Sequence, residues 1–471
     1  ASANPGRFGA FSHRNIKNGN FFRKEPVNST VHRQHDPLWK VLNEHNKSVG
    51  LFNYPELYPA YPINGFMVSG VGAPMNTRSA YPENFLNDLN QAIGQEYKVA
   101  APINHPKFRG DLPGLHSLLS DLADLRKKAL LHILNTTDND FYWLVLPESD
   151  FVQHVMWHAW DPNHPYHEEA SKHRGLFLDI WKKIDDHVGL IAERMKAQDT
   201  LFMVSDHGAG PFHKVFKINR WLEEQGHLKF KLSYRTLLRR IADSPTGRAS
   251  STALRALEKF SGQIQNCVDL AKSTFVGLEH SGFGGIYLTD RSLTPSKRRD
   301  LLKRLMGELR EHVSANPAFN KIEIFLSDDI YRGEKLRDLP DLAFIIDEME
   351  TNVVAGLIGD KTTVSSKHLP LDNRTGDHRM NGILVAAGAG INKNFKLDRF
   401  SIYDFAPTVL HGLGIPIPES YEGKACPELF NRDVIGGETA PIHDNNLAQH
   451  DLNEDEEALI AEQLKSLGYM E

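Results

Sequence analysis

Apolar positions along this chain change their period repeatedly. Residues 48–53, 141–146, 200–205, 322–326, 342–346 and 382–387 are short runs of β-branched, aromatic and other apolar residues, the length of buried strands. Between the second and third of these, Phe177, Ile180, Trp181, Ile184, Val188, Ile191 and Met195 recur at helical spacing. They predict an amphipathic helix whose apolar face packs on a sheet. A second such segment runs over 297–313 and a third over 402–413. The third is opened by Ser401, with Asp404 three positions on as a capping residue, and closed by Gly412 and Gly414. Asn453 and Glu456 open a last helix, with Ile460, Leu464 and Leu467 on one stripe and Gly468 as its stop. Strands alternating with helices predict an α/β fold with a largely parallel sheet.

The spaces between these elements divide the chain. Over 54–113 a Pro- and Asn-rich stretch reads as a long surface connection. Over 219–285 the strand signal gives way to charged helical sequence at 235–241 and 254–260, interrupted by Ser, Thr and Gly at 243–252. The expected organisation is therefore a core over 1–218, a helical insertion or cap over 219–285, a second part of the core over 286–436 and a tail over 437–471. Arg235, Arg239 and Arg240 in the insertion read as a solvated basic face.

Composition removes several function classes. Of the 471 residues, 40% are apolar and 24% charged, the make-up of a globular protein. No run reaches the roughly 18 apolar residues of a membrane helix. The 54 basic and 60 acidic side chains give a net charge of −6 with both signs interspersed, so no broad field draws nucleic acid. Cys267 and Cys426 cannot build a thiolate cage, so any metal is held by nitrogen and oxygen. The chain opens at Ala1 with neither an initiator Met nor a signal-like apolar core, and a cytoplasmic location is the expectation.

Asp and His concentrate at three strand ends. Asp150 and His154 follow the strand at 141–146, and on a helix their spacing places both on one face, within reach of one ion. Asp206-His207-Gly208 stands at the carboxyl end of 200–205, where open α/β sheets bind ligands. Asp377-His378 precedes 382–387 within turn-rich sequence, which predicts a loop position for His378. Together they supply carboxylates and imidazoles for two divalent ions about 4 Å apart, an arrangement suited to hydrolysing phosphate or sulfate esters. His158, His164 and His167 read as solvated or locally hydrogen-bonded, and Trp157 and Trp160 as packing residues.

A series of motifs carries a resemblance. Asn4-Pro5-Gly6-x-x-Gly9, Asn64-Gly65-Phe66-Met67-Val68-Ser69-Gly70, Asp150-x-x-Gln153-His154, Asp161-Pro162-x-His164-Pro165, Ser205-Asp206-His207-Gly208, Gly284-Gly285-Ile286-Tyr287, His378-x-x-x-Gly382-Ile383 and Ala406-Pro407-Thr408-Val409 follow in order. The chain resembles the alkaline phosphatase superfamily in its type I phosphodiesterase/nucleotide pyrophosphatase branch. The resemblance implies a mixed, mainly parallel sheet between helices and a metal-dependent hydrolase of small phosphodiesters or nucleotide pyrophosphates. It places Asp150, His154 and His378 on one ion and Asp206 and His207 on the other, two Zn²⁺ with Mn²⁺ as the substitute. The family's Thr or Ser nucleophile, and one further Asp ligand, lie upstream of the Asn-Pro-Gly element, hence upstream of Ala1, so the chain is expected to be an N-terminally truncated piece. His13 and Arg14 occupy the neighbourhood of a phosphate contact. The rival readings are a sulfatase or phosphonate hydrolase of the superfamily, a cofactor-independent phosphoglycerate mutase, and a non-catalytic metal-binding relative; the imidazoles favour a binuclear site over the oxygen-rich calcium site of sulfatases.

Overall fold

A computed structural model describes residues 14–17, 20–33, 36–212, 214–233, 236, 267–280, 282–333, 336–355, 363–365, 373–431 and 452–467. A hairpin of β1 (Arg14–Lys17) and β2 (Asn20–Pro26) comes first. Four strands then build one sheet: β3 (Val49–Tyr54), β4 (Gly65–Ser69), β5 (Ala80–Tyr81) and β6 (Phe141–Leu144), in the order β5-β4-β3-β6. Both ladders of β3 are parallel, with Val49 opposite Gly65 on one side and Phe141 on the other; β5 adds an antiparallel edge. The parallel register aligns the carboxyl ends of β3, β4 and β6 on one side, the side from which the chain leaves β6 toward Asp150.

The next three strands are close in sequence and go to three different sheets. These are β7 (Thr200–Val204), β8 (Gly208–Pro211) and β9 (Lys214–Lys217). Then come β10 (Phe275–His280), β11 (Phe283–Leu288), β12 (Ile322–Leu326), β13 (Leu342–Ile346), β14 (Thr351–Val354) and β15 (Thr363–Ser365). They form with β9 a seven-stranded, mainly antiparallel sheet in the order β10-β11-β13-β14-β9-β15, with β12 also on β13. Last are β16 (Gly376–Arg379), antiparallel to β8, and β17 (Leu384–Gly388), antiparallel to β7. The fold is α/β, its mixed sheet parallel at the centre and flanked by helices.

The strands expected at 48–53, 141–146, 200–205, 322–326, 342–346 and 382–387 correspond to β3, β6, β7, β12, β13 and β17, with ends displaced by two residues at most. Helices Pro295–Ala315 and Ile402–Gly412 fall where periodicity puts them, and Ser401 with Asp404 forms a capping box. The helix Arg174–Ala192 buries Phe177, Ile180 and Ile184, but this stripe meets other helices where a sheet was expected. Its partners are Leu112–Thr136, a 25-residue helix with Asp111 as cap, and Glu148–Trp160. The final helix, Glu454–Leu467, adds Ile460, Leu464 and Leu467 to the same core.

Residues 54–113 are not a surface connection. They contain β4, whose Phe66, Met67 and Val68 are buried at the heart of the sheet, and the helix Phe85–Ile93. The apolar run of β4 is only three residues long between Gly65 and Ser69, too short for alternation to show, and burial on both faces gives it its place. His378 likewise sits in a strand, β16, and is buried, because pairing with β8 satisfies the backbone of a stretch whose composition suggests turns. The stretches 237–266 and 437–451 lie outside the described residues, and with them the expected segments 243–252 and 254–260, most of 235–241, and Arg235, Arg239 and Arg240.

Candidate metal centre

The chain leaves β6 through Pro147 and turns at once into the helix Glu148–Trp160. Asp150 and His154, four positions apart, share the face of this ligand helix that meets β16. Hydrogen bonds at His154 help to join the two elements: the Thr375 amide donates to the His154 carbonyl at 2.7 Å, and His154 Nδ1 donates to the Gly376 carbonyl at 3.0 Å. A Cβ on Gly376 would stand 2.3 Å from the Gln153 carbonyl oxygen and 2.9 Å from Trp157 Cβ, so this approach requires glycine. The antiparallel register of β16 with β8 sets His378 opposite Ala209 and brings its ring over His207, with centroids 3.8 Å apart.

His154 Nε2 lies 3.1 Å from His378 Nε2 and 3.3 Å from Asp150 Oδ1, and His378 Nε2 lies 3.6 Å from the same oxygen. One ligand atom from each of Asp150, His154 and His378 falls within 4.8 Å of the others. With its Nδ1 proton committed to Gly376, His154 directs Nε2 into the cluster, where the ring in its neutral form would offer a lone pair. Two imidazole nitrogens and a carboxylate oxygen are a donor set that Zn²⁺ and Mn²⁺ accept.

Electrostatics agree with that geometry. Burial acts to raise the Asp150 carboxyl, yet the adjacent imidazoles of His154 and His378 outweigh it and hold the group well below the usual carboxylate range. Burial acts to lower His154, but the charge of Asp150 prevails and pushes it up to about 9. His378 is pushed down, chiefly by burial. A cation held by these three groups would supply the charge that a proton on His154 otherwise provides.

The other expected site residues stand apart from this trio. His207 borders it, with Nε2 at 3.9 Å from Asp150 Oδ1 and 3.7 Å from Asp206 Oδ1, and its Nδ1 donates to the Gly208 carbonyl at 2.9 Å. Asp206 follows β7 with its side chain 78% exposed. Arg14 lies in β1, and His13 lies outside the described residues. His158 continues the ligand helix and pairs through Nδ1 with the Thr375 hydroxyl at 2.8 Å; His167 Nδ1 donates to the His158 carbonyl at 2.9 Å. His164 is buried and locally hydrogen-bonded, its Nδ1 accepting from the Tyr166 amide at 3.2 Å. Trp157 and Trp160 pack on Phe177.

Sequence reasoning names Asp377 only as the neighbour of His378 and passes over Asn352 and Arg374, which support it. Asp377 is buried beside His378 and accepts from Asn352 Nδ2, from the His378 amide at 2.8 Å and from Arg374 at 3.4 Å. Burial acts to raise its carboxyl, but Arg374, His154, His378 and the Asn352 hydrogen bond hold it low. Its adjacency to His378 and the position of Arg374 three residues before it are the signals for this supporting role, since Asn352 is remote in sequence.

The family model described as "Type I phosphodiesterase / nucleotide pyrophosphatase" matches residues 4–270. No curated protein matches the chain. Among solved structures, a phosphonoacetate hydrolase from Sinorhizobium meliloti 1021, in complex with phosphonoacetate, is similar at 11% identity and a TM-score of 0.37, over 81% of this chain and 75% of that one.

Proposed function

Because the chain belongs to the type I phosphodiesterase/nucleotide pyrophosphatase family, we propose that it hydrolyses phosphodiester or nucleotide pyrophosphate bonds of small molecules with the help of two divalent cations, Zn²⁺ or Mn²⁺. The observation that carries this reading is the convergence of Asp150 Oδ1, His154 Nε2 and His378 Nε2 on one point. These three hold one ion, and Asp206 with His207 hold the second. When bound, such ions supply the positive charge that offsets the negative charge developing on phosphoryl oxygens during displacement.

The protein's own groups prepare the place. The Gly376 and Gly208 carbonyls accept from Nδ1 of His154 and His207, which orients each ring and leaves Nε2 as the atom that would meet an ion. Asp150 stays ionised through the neutral range because two imidazoles flank it. The attacking oxygen, in this reading, is a Thr or Ser hydroxyl from outside the described residues.

The test is hydrolysis of bis(p-nitrophenyl) phosphate by the full-length protein, with p-nitrophenyl phosphate, p-nitrophenyl sulfate and phosphonoacetate as competitors for the assignment. Diester turnover that chelation abolishes and Zn²⁺ or Mn²⁺ restores is expected. A protein that carries the metal by elemental analysis and leaves the diester intact overturns the reading.

A further inference from the structure

The ligand helix begins without a side-chain cap: Pro147 occupies the cap position and accepts no side-chain hydrogen bond from the first turn. An uncapped first turn frays, because its amide hydrogens have no partner within the helix. Asp150 sits in that turn. Its carboxylate must nevertheless hold its position within a few ångströms of two imidazoles that other parts of the chain deliver.

Glu148, the first residue of the helix, is fully buried and faces Arg126 of the long helix Leu112–Thr136, which is also fully buried. Arg126 Nε donates to Glu148 Oε1 at 3.0 Å and Nη2 approaches the same oxygen at 2.9 Å; Nη2 also donates to the Val99 carbonyl at 2.9 Å. The guanidinium carbon lies 5.1 Å from the Tyr97 ring centroid and 5.8 Å from that of Phe52 in β3. Arg126 is thus fixed to the sheet and the long helix before it takes hold of Glu148.

Helical geometry converts that hold into a constraint on the metal centre. At 3.6 residues per turn, positions 148 and 150 are about 200° apart, so anchoring Glu148 toward the core turns Asp150 toward the opposite side, where His154 and His378 lie. Stability alone gives little reason for the arrangement. A buried ion pair is commonly matched or bettered by apolar side chains of similar volume. This one also leaves Glu148 Oε2 and Arg126 Nη1 without hydrogen-bond partners among the described residues, a further cost.

We propose that Arg126 and Glu148 are positioning residues of the metal centre, an internal pin that replaces the missing cap and sets the rotation of the first turn so that Asp150 meets the two imidazoles. The pin rests on the functional reading above, in that the trio is a metal site.

The decisive variant is Glu148→Leu combined with Arg126→Met, which removes the pair without leaving one charge buried. The full-length double variant is expected to unfold cooperatively near the wild-type midpoint. Its Zn²⁺ affinity, measured by chelator competition, is expected to fall about 10–100-fold, the range typical when a group supporting a ligand is lost. Amide hydrogen exchange over residues 148–154 is expected to quicken in the metal-free protein. Glu148→Gln, which keeps an oxygen for Arg126, is expected to recover part of the affinity. A folded double variant with wild-type affinity and wild-type exchange overturns the pin. If the double variant fails to fold, Glu148→Gln alone decides, and unchanged affinity and exchange there overturn the pin as well. A wild-type protein that takes up no ion overturns the functional reading instead, and exchange over 148–154 then judges the pin.

Discussion

His378 and His154 present their Nε2 atoms to each other at 3.1 Å, a separation that one proton or one cation resolves. Removing His378 deletes one of the three converging donors, so His378→Ala is expected to lower the metal content of the purified protein. Elemental analysis showing unchanged stoichiometry would sink its assignment as a ligand. His158, four residues beyond His154, carries a separate prediction. Burial, then the nearby charges of His164, His167 and His173, push its imidazole down to about 4 from an ordinary 6.5. A base whose folded pKa is depressed contributes stability that is complete above 6.5 and fades as the pH falls from there to about 4. Urea midpoints of the wild type and His158→Gln at several pH values check this. The wild type is expected to lose more stability on acidification, and equal slopes would refute it. At this scale sequence spacing placed Asp150 beside His154, because four residues of helix make a fixed vector. It could not place His378 beside them, since that contact spans more than two hundred residues of chain.

The meeting of the ligand helix with the β8–β16 ribbon is the smallest unit in which the site exists. Gly376 is the hinge point of that contact, and Gly376→Ala forces its Cβ to within 2.3 Å of the Gln153 carbonyl. An overpacking cost of about 1–3 kcal/mol is expected in denaturant titration. Relief of that clash shifts residue 376, whose own carbonyl accepts from His154 Nδ1, so Zn²⁺ binding should weaken alongside. A variant as stable and as tight as the wild type would show that the strand approaches the helix less closely than described. Elements with a strong period were legible here, as β12, β13 and the capped helix Ile402–Gly412 show. The long helix Leu112–Thr136 also carries helical spacing in Leu112, Leu115, Leu119 and Leu122, although its start lies within the Pro-rich stretch that reads as a connection. β4 is too short for any period, and only its burial between β3 and β5 defines it.

At the scale of the whole molecule, the last helix closes the same core that seats the ligand helix. Ile460, Leu464 and Leu467 pack with Phe151, Val152 and Val155, and Glu456 accepts from the Tyr58 hydroxyl and from Arg78. Leu464→Ala is therefore expected to cost about 2–5 kcal/mol by the cavity it leaves. The unfolding midpoint should drop with its slope against denaturant unchanged; a loss below about 0.5 kcal/mol, the usual size for an exposed site, would mean that the helix is not part of the core. By itself the sequence determined which residue types carry the chemistry, the order of the motifs and the period of most elements, because these depend on neighbours along the chain. Tertiary structure alone decided that His378 lies in a strand, that Gly376 seats it against the ligand helix, and that Arg126 reaches Glu148. Each of these is a contact between segments that only packing brings together, and no local pattern encodes the partner across such a distance.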